Sequence, residues 1–269
     1  MLMRHIENHA THRQVELVET LRSQGGSART SHLADVLNVS EETIRRTVKA
    51  LAKTGMVQRV HGGVYLSNTE ALDPIRSRLK KRTKAKGQIA AAAASMIPSG
   101  SCVFLDVGST TAHVATGLRS HRDLTVVTNG IHAAQALVDN NDNQVFLAGG
   151  ALHHVEDGTF GPETIEFIER FNIDVAVVSI DGFDCETGFL LSSAAEAALA
   201  RVVTQRARRV LVVTDATKFG QSAPLIACQP TDVTAVLIDK LPDPIFHQKL
   251  NEWEIEVVIV PDPKIEKVL

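Results

Sequence analysis

Cysteine is scarce: Cys102, Cys185 and Cys228 are an odd number with no CxxC spacing. That argues against a disulfide framework or a paired-thiol redox motif, and Cys102 sits in an apolar strand pattern where a reduced thiol packs as a small hydrophobe. A reducing, cytoplasmic setting is expected. Long apolar runs are also lacking. The opening MLMRHIENH has no apolar segment of the signal-peptide kind, and Ile89 to Ile97 is mostly alanine, broken by Ser95 and too short to span a bilayer. No membrane partner is expected. The chain has no net excess of positive charge either, its formal charge being -3. Yet residues 1–90 hold 16 Lys+Arg against 8 Asp+Glu, and the remainder 12 against 23. Phosphate neutralisation needs local rather than net charge, so the split fits a DNA-reading head on an acidic body. With 269 residues and 44% hydrophobic composition, one small and one larger domain are expected.

What the chain does have is concentrated first in Ser40 to Gly63. Ser40 is a good N-cap, and Glu41 and Glu42 follow where negative charge suits a helix dipole. Ile44, Val48 and Leu51 recur at i, i+4 and i+7, while Arg46, Lys49 and Lys53 project from the opposite face, with Thr43 and Arg45 on its flanks. Gly55 is placed to end the helix. Met56 to Val60, carrying Arg59, reads as a strand, His61-Gly62-Gly63 as a tight turn, and Val64 to Leu66 as the return strand. Leu33, Ala34 and Leu37 make a short helix before an Asn38-Val39 turn. The arrangement predicts a helix-turn-helix with a hairpin wing, whose second helix enters the major groove of duplex DNA. Arg13 to Leu21 is predicted as a scaffold helix behind it.

His5, His9 and His12 are spaced like metal ligands, but no thiolate or carboxylate cluster accompanies them, so no metal is expected. Residues 67–86 hold Asp73-Pro74 and then Arg76, Arg78, Lys80, Lys81, Arg82, Lys84 and Lys86. The segment reads as a solvated basic linker, with auxiliary phosphate contacts as the second reading.

Residues 87–269 alternate continuously apolar strand patterns with helix patterns. Strands are predicted at 102–107, 124–128, 145–148, 175–180, 210–214, 233–238 and 255–260, which indicates a mostly parallel α/β sheet covered on both faces. Such sheets bind ligands at the carboxyl ends of their strands. There the chain places Asp106 with Gly108, Ser109, Thr110 and Thr111, then Asn129, Gly149 and Gly150, Asp181 and Gly182, and Asp215 with Lys218. Glycine, hydroxyls and a helix N-terminus fit a phosphate, although the same residues also make good turns and caps. Carboxylates, an amide and a cation fit a polyol.

LADVLNVSEETIRRTVKAL followed by GMVQRVHGG resembles the winged helix-turn-helix of DeoR/GlpR-type bacterial regulators, with Thr47 where the family usually has Asp. The Asp106 and GSTT loop, Thr128-Asn129, Gly149-Gly150, Asp181-Gly182, Glu196 and Asp215 to Gly220 resemble that family's effector domain; Arg78 and Lys86 match its linker, and Ala85 replaces a glutamate. The resemblance implies a DNA-binding regulator, usually a repressor of carbohydrate catabolism released by a phosphorylated sugar or polyol, with no cofactor. It implies a head at 1–66, a linker at 67–86 and a sensing and oligomerising domain at 87–269. A single helix-turn-helix reads few bases, so a homo-oligomer, dimer or tetramer, is expected. The competing class is an enzyme, because the effector domain also looks like ribose-5-phosphate isomerase, and Asp181 to Asp184 resembles that family's Asp-Gly-Ala-Asp. The catalytic lysine that follows there has no counterpart between Asp181 and Arg201. A ligand-independent architectural DNA binder is a third reading, but it gives no reason for polar groups at five strand ends. His153, His154 and Cys185 are expected to be incidental.

Overall fold

The computed structural model describes residues 12–23, 27–54, 56–60, 63–66, 74–240 and 242–260. The chain divides into two compact units, one of residues 1–73 with 222–224 and one of residues 74–221 with 225–269.

The smaller unit begins with α1 (His12–Ser23), β1 (Ser27–Arg29), α2 (Thr30–Val36) and α3 (Glu41–Lys53), followed by β2 (Val57–Val60) and β3 (Gly63–Leu66). Ser40 caps α3 as its sequence predicts, its hydroxyl accepting from the Thr43 amide at 3.2 Å. The α2–α3 turn closes through the Val39 amide on the Ala34 carbonyl at 2.9 Å, with Asn38 in the left-handed region that asparagine tolerates. Ile44, Val48 and Leu51 are buried with Leu17, Leu21, Leu33, Val57 and Val64 in one core. The predicted wing is present, and β3 also pairs with β1, so the hairpin becomes a three-stranded sheet. Three residues, Ser-Ala-Arg, were too few to read as a strand. His5, His9, Gly55, His61 and Gly62 lie outside the described residues.

The larger unit starts with α4 (Ile75–Arg78) and α5 (Thr83–Ser95). Its centre is a seven-stranded parallel sheet of β4 (Cys102–Leu105), β5 (Thr125–Thr128), β6 (Gln144–Leu147), β9 (Val175–Val178), β12 (Arg209–Thr214), β14 (Ala235–Ile238) and β15 (Glu256–Ile259). All seven predicted strands are there. Alternate residues feed two cores. Phe104, Ala176, Val210 and Val212 face α8 (Pro162–Ile168), α9 (Ala194–Arg206) and α10 (Pro244–Glu252). Val103, Leu105, Val177, Leu211 and Val213 face α5, α6 (Ser109–Gly117) and α7 (Ile131–Leu137). Burial on both faces is why these strands carry no polar alternation.

The strand order is β15-β14-β12-β9-β4-β5-β6. From β4 the chain winds outward through β5 and β6, then returns to place β9 on the other side of β4. The strand order therefore reverses between β4 and β9, which opens a crevice at their carboxyl ends. Two small antiparallel additions border that end: the hairpin of β7 (Ala151–His153) and β8 (Gly158–Phe160), and a sheet of β10 (Gly182–Asp184), β11 (Gly188–Leu191) and β13 (Leu225–Cys228).

The basic segment differs from the solvated linker its composition suggests. Residues 74–86 carry α4 and the start of α5, and their three arginines turn onto acidic groups of the larger unit while Lys80, Lys81 and Lys84 stay exposed. Arg76 bonds Asp157, Arg78 bonds Glu156, and Arg82 bonds Asp239 at 2.6 Å. Lys86 is buried and donates to the Arg78 carbonyl at 2.6 Å. The acidic surplus beyond residue 90 is the counter-charge that draws this segment inward.

Candidate functional site

On the smaller unit, α3 keeps one face for the core and one for solvent. Arg46, Lys49, Lys53 and, on the wing, Arg59 are exposed. Arg46, Lys49 and Lys53 make no ion pair with another described residue, whereas Arg45 is held by Glu41 at 3.0 Å one turn back. Ser40 and Thr43 share a hydroxyl contact of 2.9 Å at the helix start. Thr47 faces inward and donates to the Thr43 carbonyl at 2.9 Å. The result is an exposed cationic helix face whose lysines are free to meet phosphates.

On the larger unit, the switch point builds the second site. Asp106 ends β4 and is buried; its carboxylate accepts from the Val107 amide at 2.8 Å and, across the crevice, the Ser179 amide at 3.4 Å. Burial pushes its pKa up to about 7, because desolvation outweighs the two amides. Gly108 follows in extended backbone, and a Cβ there would collide with the Ser179 hydroxyl, so glycine is what allows β4 and β9 to meet so closely. Ser109, Thr110 and Thr111 open α6 and are buried. Thr111 turns back to the Gly108 carbonyl at 2.8 Å. The Ser109 and Thr110 hydroxyls have no protein partner among the described residues, and the first-turn amides of α6 point the same way.

Asp181 follows β9 and accepts from the Ser192 amide at 2.9 Å, with the Lys218 ammonium 4.0 Å from its other oxygen. Gly182 begins β10, packed on the Gln221 backbone. Glu196 stands in the first turn of α9, whose cap is Ser193. Its pKa is raised well above the usual carboxylate value by burial, then by Glu156, Asp181 and Asp106 around it. Glu156 is raised by burial and opposed by Arg78. Burial works against the charge of Arg78, but Glu156, Asp181 and Glu196 together hold its pKa above the ordinary value. Four carboxylates thus share one field with Arg78, Lys218 and, farther back, Lys86.

Two further sets of expected site residues also have structural partners. Asn129 is fully buried, its side chain accepting from the Val107 amide at 3.1 Å and donating to the Thr159 carbonyl at 3.2 Å. It braces the crevice wall by tying the Val107 backbone to Thr159. Gly149 and Gly150 make the turn from β6 into β7: Gly150 has φ +133, and a Cβ there would strike Thr164 and the Phe160 carbonyl. Asp184, the last residue of the isomerase-like motif, accepts the Glu186 and Thr187 amides of its own turn at 2.9 and 3.0 Å. Sequence reasoning missed Glu156, which the β7–β8 hairpin folds back into the cluster. A surface concavity of about 370 Å³ lined by Glu169, Arg170, Phe171, Asn172 and Arg206 opens at the amino ends of β9 and β12, away from these groups.

The family models described as the DeoR-like helix-turn-helix domain and the DeoR C terminal sensor domain match residues 13–70 and 81–240. The glycerol-3-phosphate regulon repressor of Escherichia coli (strain K12) is 32% identical over 247 residues, covering 92% of this chain and 98% of that protein. The HTH-type transcriptional repressor CsqR of the same strain is 30% identical, covering 89% and 92%. The putative aga operon transcriptional repressor of Escherichia coli O157:H7 is 28% identical, covering 92% and 93%. A ribose 5-phosphate isomerase A structure from Methanocaldococcus jannaschii gives a TM-score of 0.38 at 14% identity over 52% of this chain and 56% of that one, too loose to bear on its chemistry.

Proposed function

This chain belongs to the DeoR family, DNA-binding transcriptional regulators rather than enzymes, and on that premise we propose that it represses a carbohydrate or polyol operon and is released by a phosphorylated sugar or polyol. The observation that carries the sensing half is the crevice at the β4–β9 switch point, where an open helix start adjoins carboxylates and Lys218. Ser109, Thr110 and the first amides of α6 hold the phosphate, Lys218 supplies counter-charge, and Asp106, Asn129, Asp181 and Glu196 read hydroxyls. Names of relatives that refer to a glycerol-3-phosphate regulon and an aga operon support the same ligand class.

In this reading residues 1–66 are the head, 87–269 sense ligand and assemble, and 67–86 join them. The protein works in the cytoplasm as a dimer or tetramer, because paired heads read two half-sites about 34 to 36 Å apart or a multiple of that. None of the helices among the described residues is long and apolar enough to cross a membrane. Arg46 meets bases or backbone, while Lys49, Lys53 and Arg59 meet phosphates. Ser40, Thr43, Arg45 and His61 complete the surface. Lys49→Ala should weaken operator and random DNA alike and lower the salt slope by about 1. Anisotropy titration against the promoter beside its own gene, run at several salt concentrations, measures both the slope and the number of chains per site. An unchanged slope would remove Lys49 from the interface.

Thr110→Val deletes one donor at almost constant volume. A hydrogen bond to a charged group contributes about 1.5 to 3 kcal/mol, so ligand affinity should fall about tenfold or more while operator affinity is kept. Calorimetry with a panel of phosphorylated sugars and polyols, beginning with glycerol 3-phosphate, decides this. A normally responding Thr110→Val protein would refute the phosphate position.

A further inference from the structure

The chain enters the larger unit at Pro74, and its first residues are gripped by a single turn between β7 and β8. The Ile75 amide donates to the Val155 carbonyl at 2.9 Å, and its side chain is buried in the core with Phe104, Val107 and Phe160. Arg76 places two nitrogens on Asp157, at 2.8 and 3.2 Å, and His132 approaches the same carboxylate at 3.1 Å. Arg78 bonds Glu156. Residues 155, 156 and 157 therefore each hold one residue of the entering segment, and Glu156 and Asp157 are both buried.

Arg78 has a second allegiance. Its charge also lies in the field of Asp181 and Glu196, two groups of the strand-end crevice, and its Nε is buried with no hydrogen-bond partner. One guanidinium is thus shared between the segment leading to the head and the site that takes the ligand, with a donor to spare.

We propose that Glu156 and Asp157 form a latch on residues 75–78, and that an anionic ligand in the crevice opens it by drawing Arg78 off Glu156. The latch depends on the sensing role of that crevice. Closed, it fixes the point from which the chain runs to the head, and this is the DNA-competent state. Opened, it leaves the Ile75 amide on Val155 and the exposed Arg76–Asp157 pair as the remaining holds of that turn, and lets the segment shift. Removing one partner of a buried ion pair leaves the other charge unpaired, so Arg78–Glu156 carries most of the latch. Arg76 is 78% exposed and its pair is correspondingly weaker. Neither effect requires the ligand to touch the smaller unit, because a ligand shifts an equilibrium through its different affinity for the two states.

The test uses the full chain. Glu156→Gln should lower operator affinity about tenfold or more without ligand, within the range of allosteric couplings, and glycerol 3-phosphate or another bound panel member should add little further release. Calorimetry should show that the same compound still binds. Wild-type operator affinity with wild-type release would overturn the latch. Arg76→Gln alters an exposed side chain and spares the core, so it stays informative if Glu156→Gln folds poorly; it should shift operator affinity the same way by about twofold to fivefold. Hydrogen exchange at the Ile75 amide should quicken in either variant, and unchanged protection in both would also overturn the latch. If no panel compound binds the wild type, the sensing role fails, and the latch is still judged by the ligand-free operator affinity of these two variants.

Discussion

Leu51→Ala should unfold the smaller unit and leave the larger one standing. Leu51 is fully buried on α3 among Leu17, Leu21, Leu33 and Ile44, in a core made only of residues from the smaller unit. Truncating a buried leucine costs about 2 to 5 kcal/mol, combining lost transfer energy with the cavity left behind. A unit of this size has little margin, because small domains bury a smaller share of their surface and the stability of a chain scales at roughly 0.05 to 0.15 kcal/mol per residue. Scanning calorimetry should show the transition of the smaller unit lost or moved far down and that of the larger unit in place. Operator binding should vanish while ligand binding persists. Loss of both transitions together would show that the two cores are not independent.

The stability of the larger unit should fall as pH rises from about 4 to 7. Asp106 has its pKa raised by burial to about 7 from 3.8. Across that window the folded chain holds a proton that the unfolded chain has released, so each pH unit removes about 1.4 kcal/mol, roughly 4 kcal/mol in all. Above pH 7 the contribution of Asp106 is fully lost. The raised values of Glu196 and Glu156 act in the same direction, and the lowered value of Asp157, held down first by the Arg76 hydrogen bond, acts in the other. Asp106→Asn should remove its own share of the slope and leave that of Glu196 and Glu156. At pH 8 it should be more stable than the wild type, having no charge to bury. At pH 5 that advantage should be gone, because the wild-type side chain is then protonated and buries no charge either. Urea midpoints at pH 5, 6, 7 and 8 measure this, and a slope unchanged by Asp106→Asn would reject the assignment.

Local pattern carried much of this architecture. The inner sheet strands were legible because burial on both faces makes them continuously apolar, the part-exposed edge strands β6 and β15 because they keep Val-Phe-Leu and Val-Val-Ile runs, and α3 because Ser40, the apolar stripe and the basic stripe agree. The β7–β8 hairpin was not, since all three residues of β7 are exposed while all three of β8 are buried, a pairing with no alternation to read. Glu156 on its turn meets Arg78 from 78 residues away, and no local spacing encodes that. Asp184 and Asn129 show the opposite difficulty. Both carry the residue types of a sugar site, and the fold also uses both to hold backbone amides. The basic segment misled for a related reason: runs of cations are usually solvated, and only the acidic surplus downstream hinted that these would be drawn inward.

Strand order also sets a timetable for synthesis. Among the described residues, the buried core of the smaller unit runs from Leu17 to Val64 and is complete once Leu66 has been made. The crevice waits much longer, because β4 must hold a place for β9, and Glu196 and Lys218 come later still. At ordinary elongation rates of about 5 to 20 residues per second, the gap of roughly 150 residues lasts about 8 to 30 s. During that interval a growing chain carries a complete reading head and no means of being told to let go. A chain cut short inside the sheet would stay in that condition, so premature termination in the second half of this sequence is expected to yield fragments deaf to ligand that keep the α3 surface but lack the full domain that pairs two heads.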